Sequence, residues 1–211
     1  MSGFIGFASI YQNGLLALLF VFVFPGLVFV RAFDVPSFPQ RWLIVFLSSL
    51  TANYFFVTLI ASLHFDPLAA YRIAAVVLSA ILIVSTATKA ASGRPWRGES
   101  TISLSDIRWL LISLTVLGFT YFNVWKHGVP HVFEAGDLSV SWNVWALIWS
   151  KGGFPTSSLG YPQFIPTVFA VTYIFTASTV QYFAHYVYIV LIIAPIAIYL
   201  VTEFFGLPTN A

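Results

Sequence analysis

The sequence has no cysteine and very little charge. None of the 211 residues is Cys, and the charged types make up 8% of the chain, whereas a soluble domain has about 25%. The lack of cysteine excludes disulfides, thiol catalysis and thiolate metal sites. Because hydrophobic types make up 59% of the residues, the composition predicts an integral membrane protein of the all-α class.

Basic residues are also scarce. The formal net charge is +2, and the nine Lys and Arg residues are spread along the chain, so there is no basic cluster of the kind that binds nucleic acid. The segment from Met1 to Asn13 contains no Lys or Arg, and the basic start of a cleavable signal peptide is therefore missing. The first apolar segment is predicted to remain as a membrane span.

Long apolar stretches predict a single polytopic helical bundle over 1–211. A helix needs about 20 apolar residues to cross the hydrocarbon core. Six stretches meet or approach that length: 12–31, 42–63, 68–88, 108–125, 164–181 and 184–202. Pro25-Gly26 in the first of them predicts a kink, because neighbouring helices can satisfy the freed backbone groups. The bundle is expected to be the N-terminal part of a longer protein.

The distribution of Lys and Arg predicts the orientation, since cytoplasmic loops retain these residues. The loops on one side hold six of them and the loops on the other side hold three: Arg31, Arg41, Lys89, Arg94, Arg97 and Arg108 against Arg72, Lys126 and Lys151. This asymmetry places the N-terminus outside the cytoplasm. It also makes 126–163 an extracytoplasmic loop of a protein of the cell inner (plasma) membrane.

That loop concentrates the titratable residues of the chain, namely Lys126, His127, His131, Glu134, Asp137 and Lys151. His127 and His131 are four residues apart, and Glu134 and Asp137 could add oxygen ligands. Gly128 and Pro130 between the histidines disfavour a helix, so we assign no metal site. Asp137 has two interpretations: its carboxylate acts in chemistry, or, like Ser139, it caps the helix that follows.

The segment from Val140 to Ser150 has a helical pattern. Trp142, Trp145 and Trp149 are three and four residues apart and therefore share one face. Tryptophan is enriched at membrane interfaces, which predicts an amphipathic helix lying on the outer leaflet, with Asn143 and Ser150 on its opposite face. The alternative is that the indoles pack into the bundle.

Four elements of this loop resemble bacterial multi-span glycosyltransferases of the GT-C type. They are Gly136-Asp137, the run from Ser141 to Ala146, Phe154-Pro155, and the run from Tyr161 to Pro166. In that superfamily an extracytoplasmic loop carries an acidic residue of the active site, followed by an interface helix and a proline-containing stretch that leads into the next span.

The resemblance implies an inverting enzyme that moves a sugar from a polyprenyl-phosphate donor to an acceptor glycan, lipid or protein. Its catalytic carboxylates would be Asp137 and Glu134. The substrate-binding residues would be Asn143, Tyr161, Gln163, Lys126, Lys151 and Arg72. A carboxylate must take the proton of the acceptor hydroxyl, and the leaving phosphate needs positive charge, either from Lys and Arg or from a divalent metal.

Two other functions remain open from the sequence. A transporter subunit would need ionisable groups inside the membrane, where the spans offer chiefly His185, with Asn53 and Gln181 as uncharged polar groups. A non-catalytic scaffold would use its aromatic-rich spans only for packing. Replacement of Asp137 separates these functions from the enzyme, because only the enzyme would lose activity.

Overall fold

The computed structural model describes residues 2–32, 38–91, 115, 118, 141–158 and 161–204. The described residues form helices and short connections and contain no strand. The α-helices are α1 (Ser2–Phe22), α2 (Phe24–Ala32), α3 (Phe38–Leu63), α4 (Pro67–Ala91), α5 (Asn143–Ser150), α6 (Phe164–Thr176) and α7 (Tyr182–Phe204), and a 3₁₀ turn covers Thr156–Ser158. The predicted fold class is confirmed as all-helical.

Three described segments are long and apolar enough to cross a bilayer. They are Ala8–Arg31, which joins α1 and α2, Arg41–Leu63 in α3, and Pro67–Thr88 in α4. The shortest has 22 residues and rises about 33 Å as a helix, which exceeds a hydrocarbon core of about 30 Å. The predicted membrane class is therefore supported, whereas the predicted span 108–125 lies almost wholly outside the described residues.

The predicted span 164–181 is longer than the helix that forms there. α6 has 13 residues and ends at Thr176, because Ala177 takes the left-handed conformation with φ 48°. Thirteen residues rise only about 20 Å, which is less than the hydrocarbon thickness. α7 follows with 23 residues. The count of six spans thus stays a prediction.

The helix of the first span is interrupted at Val23, two residues before Pro25, and α3 satisfies the freed backbone groups. The N–H of Gly26 donates to Ser49 Oγ at 2.8 Å. One turn further along α3, Asn53 Nδ2 donates to the carbonyl of Phe20 at 3.0 Å. Ser49 and Asn53, which bond to these backbone groups, lie one turn apart on one face of α3. Helix breaks inside membranes are tolerated when a neighbouring helix supplies the missing hydrogen bonds in this way.

α2 and α3 run antiparallel and touch at the backbone. Gly26 lies beside Val45 and Ser49, whereas Phe20 lies beside Asn53. A position nearer the start of the first span thus faces a position nearer the end of α3. A Cβ atom added at Gly26 would stand 1.9 Å from the carbonyl oxygen of Val45. Only glycine fits at this crossing.

α6 lies at the centre of the bundle. Ten of its 13 residues are buried, and Val168 to Val171 have no exposed surface. It contacts α1, α3, α5 and α7. A helix that is apolar on all sides belongs in such a position.

The outer faces of the spans are apolar and exposed. On α4 the most exposed large apolar side chains are Val76 and Ile83, at 71% and 69%. Contiguous apolar surface of this kind is rare on soluble proteins. It is suited to lipid, and α4 is the most peripheral of the three long apolar segments.

Candidate functional site at the turn end

Two loops meet at one end of the bundle. His64, Phe65 and Asp66 connect α3 to α4, and we call the end at which they lie the turn end. Gly152, just after α5, sits against this connection, since a Cβ atom added to it would be 3.4 Å from the carbonyl oxygen of Phe65. The structure thus brings together two loops that the sequence predicts on the same side of the membrane.

The carboxylate of Asp66 caps α4. Its Oδ1 accepts from the N–H of Ala69 at 2.6 Å, and Pro67 occupies the first helical position, where its missing N–H costs nothing. Asp66 therefore has a structural task at the turn end.

The tryptophans of α5 face the protein, so the predicted outer-leaflet orientation is wrong and the packing alternative is confirmed. Trp145 and Trp149 are 6% and 4% exposed and belong to the core cluster. The indole N–H of Trp142 is buried and has no hydrogen-bond partner among the described residues, whereas an interfacial indole would keep this group in water. The shared face predicted for the three indoles packs against the bundle instead of lying on lipid.

Asn143, which the sequence predicts on the face opposite the indoles, is buried as well. It is 5% exposed, and its Oδ1 accepts a hydrogen bond from the hydroxyl of Tyr173 in α6. α5 contacts both α3 and α6, so burial extends beyond a single stripe. Asn143 connects α5 to the central helix, and its predicted substrate-binding role stays a prediction.

Gln163 links α5 to the start of α6. Its Oε1 accepts from Trp149 Nε1 at 3.0 Å, and its Nε2 donates to the carbonyl of Tyr161 at 3.2 Å. Tyr161 lies over Trp145, with ring centroids 5.6 Å apart. Three of the four segments that carry the resemblance therefore contribute to one hydrogen-bonded and ring-packed unit, and the fourth, Gly136-Asp137, lies outside the described residues.

The predicted site residues divide into two groups. Tyr161, Gln163 and Lys151 lie in or beside this unit, and Tyr161 and Lys151 are exposed. Arg72 is exposed in the second turn of α4. The predicted residues outside the described part of the chain are Lys126, His127, His131, Glu134, Asp137 and Ser139. Both interpretations of Asp137 therefore remain predictions; the position before α5 is Trp142, which makes no side-chain capping bond.

The sequence did not indicate the supporting role of Tyr173, nor the contact that Phe154 makes. Tyr173 sits inside an apolar stretch, and a phenol in such a stretch usually finds a polar partner when buried. That signal indicates a partner without saying which. Phe154 packs edge-on against Trp149 at 4.8 Å, a contact that follows only from the position of α5.

The described part of the chain contains no group of three metal-ligating side chains. Comparison with protein-family models, with curated proteins and with solved structures finds no match. The fold and its apolar faces define the protein as a helical membrane protein.

Proposed function

We propose that the protein is the membrane part of an inverting glycosyltransferase that uses a polyprenyl-phosphate sugar. The observation that carries the proposal is the unit built from α5, Phe154, Tyr161 and Gln163, because three of the four segments that resemble GT-C enzymes contribute to it. In this proposal the turn end faces the extracytoplasmic side of the plasma membrane, and the N-terminus lies on the same side.

The proposed base, Asp137, is close to this unit along the chain. Asn143 is six positions further along the chain, and six residues span at most about 22 Å. In the proposed reaction the carboxylate of Asp137 takes the proton of the acceptor hydroxyl. The acceptor oxygen bonds to the anomeric carbon, the bond from that carbon to the phosphate oxygen breaks, and polyprenyl phosphate leaves.

Positive charge has to stabilise the departing phosphate. Lys151 and Arg72 are exposed on the segments that adjoin the turn end, and Lys126 belongs to the same predicted loop. In this proposal Glu134 assists Asp137, Tyr161 and Gln163 contact the sugar, and Asn143 holds α5 in place for them. A divalent metal could supplement the cations.

Replacement of Asp137 by asparagine tests this proposal. We expect the full-length protein in proteoliposomes to transfer labelled sugar from a polyprenyl-phosphate donor. Asp137→Asn should lower the rate at least about 100-fold, since a general base contributes about 10²–10⁴-fold. Expression level and thermal stability should not change.

The matched control is Asp66→Asn, which removes a second carboxylate at the turn end. Asparagine caps helices as well as aspartate does, so this variant should keep both its fold and its activity. Absence of transfer and of binding for every polyprenyl-phosphate donor, or full activity of Asp137→Asn, would refute the proposal.

A transporter subunit is the second proposal, and the interrupted first span and the short buried α6 favour it. Transporters place discontinuous helices around their binding sites. Substrate uptake into proteoliposomes that does not depend on Asp137 would support this function, and the same result would contradict the enzyme. A scaffold would show neither uptake nor transfer.

A further inference from the structure

We propose that Phe65, Phe154 and Tyr161 form an aromatic rim at the turn end and that this rim inserts into the boundary between lipid headgroups and acyl chains. The three rings are 58%, 46% and 55% exposed. They replace the tryptophans of α5 as the interfacial anchors, because those indoles are turned inward. The proposal does not rest on the proposed function, and it assigns Tyr161 and Lys151 a contact with lipid in addition to the roles proposed for them above.

The three rings of the rim are held beside the same part of the turn end, around α5 and Gly152. Phe154 packs against Trp149, and Tyr161 packs against Trp145 one turn away on α5. Phe65 belongs to the connection that Gly152 touches, two residues before Phe154. Exposed rings at the loop ends of spanning helices match the aromatic belts of membrane proteins.

Buried groups hold two of these rings in place. The indole of Trp149, which supports Phe154, donates to Gln163, and Gln163 donates to the carbonyl of Tyr161. Both supporting indoles are at most 6% exposed. Phe154 and Tyr161 are therefore oriented outward by the fold before they meet a partner.

The apolar surface below the rim identifies the partner as the bilayer. Phe55, Leu59 and Leu63 follow one another along α3 at spacings of four and are all at least half exposed, so they form one stripe that leads up to Phe65. Because the rim continues a stripe that faces the hydrocarbon core, it lies at the boundary of the same bilayer.

The charge at the rim is also suited to a lipid surface. Lys151 is exposed at the end of α5, three residues before Phe154. A lysine near an anionic membrane surface is attracted to it, and its long side chain can reach the phosphates while its stem stays in apolar surroundings. Ring and cation together fit the headgroup layer.

Depth-dependent quenching tests the proposal, and the lack of cysteine allows a single label at each chosen position. Cysteine would be introduced as Phe65→Cys, Phe154→Cys or Tyr161→Cys in the full chain. Each variant would carry an NBD dye in phosphatidylcholine–phosphatidylglycerol vesicles. We expect nitroxide lipids labelled at the headgroup or at acyl carbon 5 to quench these dyes at least twofold more than lipids labelled at carbon 12.

Two matched positions calibrate the measurement. Val76 is exposed on α4, about 14 Å along the helix from Pro67, so Val76→Cys should be quenched most by the carbon-12 lipid. Ser157 is exposed in the 3₁₀ turn, so Ser157→Cys should respond to aqueous iodide and little to any nitroxide lipid.

A second variant keeps all three rings. Lys151→Cys with a nitroxide label should show oxygen and nickel-chelate accessibilities typical of the phosphate level. The proposal is overturned if the rim dyes respond to iodide as Ser157→Cys does, which would indicate a water-exposed surface. Protection from both iodide and lipid, which would indicate a protein partner, overturns it as well.

Discussion

At the residue scale, Asn53 makes three buried hydrogen bonds. Its amide nitrogen donates to the carbonyls of Phe20 and Ser49, and its Oδ1 accepts from the hydroxyl of Tyr71 at 3.0 Å. Asn53 is 1% exposed and Tyr71 is fully buried. The side chain of Asn53 therefore links the interrupted first span, α3 and α4 by hydrogen bonds.

Replacement of Asn53 by leucine should destabilise the bundle by about 2 kcal/mol, because a buried polar group left without its partner costs about 1–3 kcal/mol. Tyr71→Phe removes a single bond and should cost about 0.6 kcal/mol. Reversible unfolding in mixed micelles would measure both. Thr58→Val is the control, since Thr58 bonds only within its own helix, and a cost as large as that of Asn53→Leu would contradict this account.

For the site, the sequence predicts which residues share a helix face, but not what that face contacts. The spacing of Trp142, Trp145 and Trp149 correctly places them on one face of a helix. It does not distinguish lipid from protein as the environment of that face, because an indole suits both. The hydrogen bonds of Asn143 and Gln163 depend on where α6 lies, and that position follows from tertiary packing.

At the element scale, the contact between α2 and α3 requires the absence of a side chain at Gly26. Small residues let membrane helices approach closely, and packing then supplies much of the association energy. The nearest neighbour of Gly26 is backbone of α3, which cannot rotate away as a side chain can.

Gly26→Ala should therefore separate α2 from α3 and lower the midpoint of thermal unfolding by several degrees. The control is Gly118→Ala, at a helical position where an added Cβ meets nothing within 4 Å; this change should be neutral or stabilising, because alanine favours helix by about 1 kcal/mol. Fluorescence-detected size exclusion after heating compares the two. Equal midpoints would show that the backbone contact does not limit the packing of these helices.

The accuracy of the sequence predictions also differs between elements. The stretches 42–63 and 68–88 agree with α3 and α4 to within a few residues, because each is a long apolar run between polar loops. The stretch 164–181 does not, since the helix stops at Ala177 for a backbone reason that hydropathy does not detect. An apolar segment can be buried either in lipid or in protein, and hydropathy does not distinguish the two. α6 is buried in protein.

At the scale of the whole molecule, the packing fixes which ends lie together. The first span and α3 are antiparallel, so Tyr11 and Gly14 lie toward the turn end. Tyr11 contacts Tyr182, and the space beside Gly14 is filled by the ring of Phe183. α7 therefore begins at the turn end, the same end at which the loop preceding α6 lies.

This arrangement predicts that α6 does not cross the bilayer. Cysteines introduced at His64 and Ser178 should both react with a membrane-impermeant maleimide from the same side, whereas a crossing span at 164–181 would place them on opposite sides. Right-side-out and inverted vesicles distinguish the cases, and the absence of native cysteine keeps the background low. Labelling from opposite sides would show that 164–181 crosses the membrane, as the sequence predicts.

The central position of α6 has a consequence for the order of assembly. Its neighbours α1, α3 and α5 are all synthesised before it, and N-terminal parts of a chain generally fold first during synthesis. When α6 leaves the ribosome, the surfaces of α1, α3, α4 and α5 that receive it already exist, and α7 packs against it later. A version of the chain in which α6 is made first would release a 13-residue helix with no partners, too short to remain in the membrane alone.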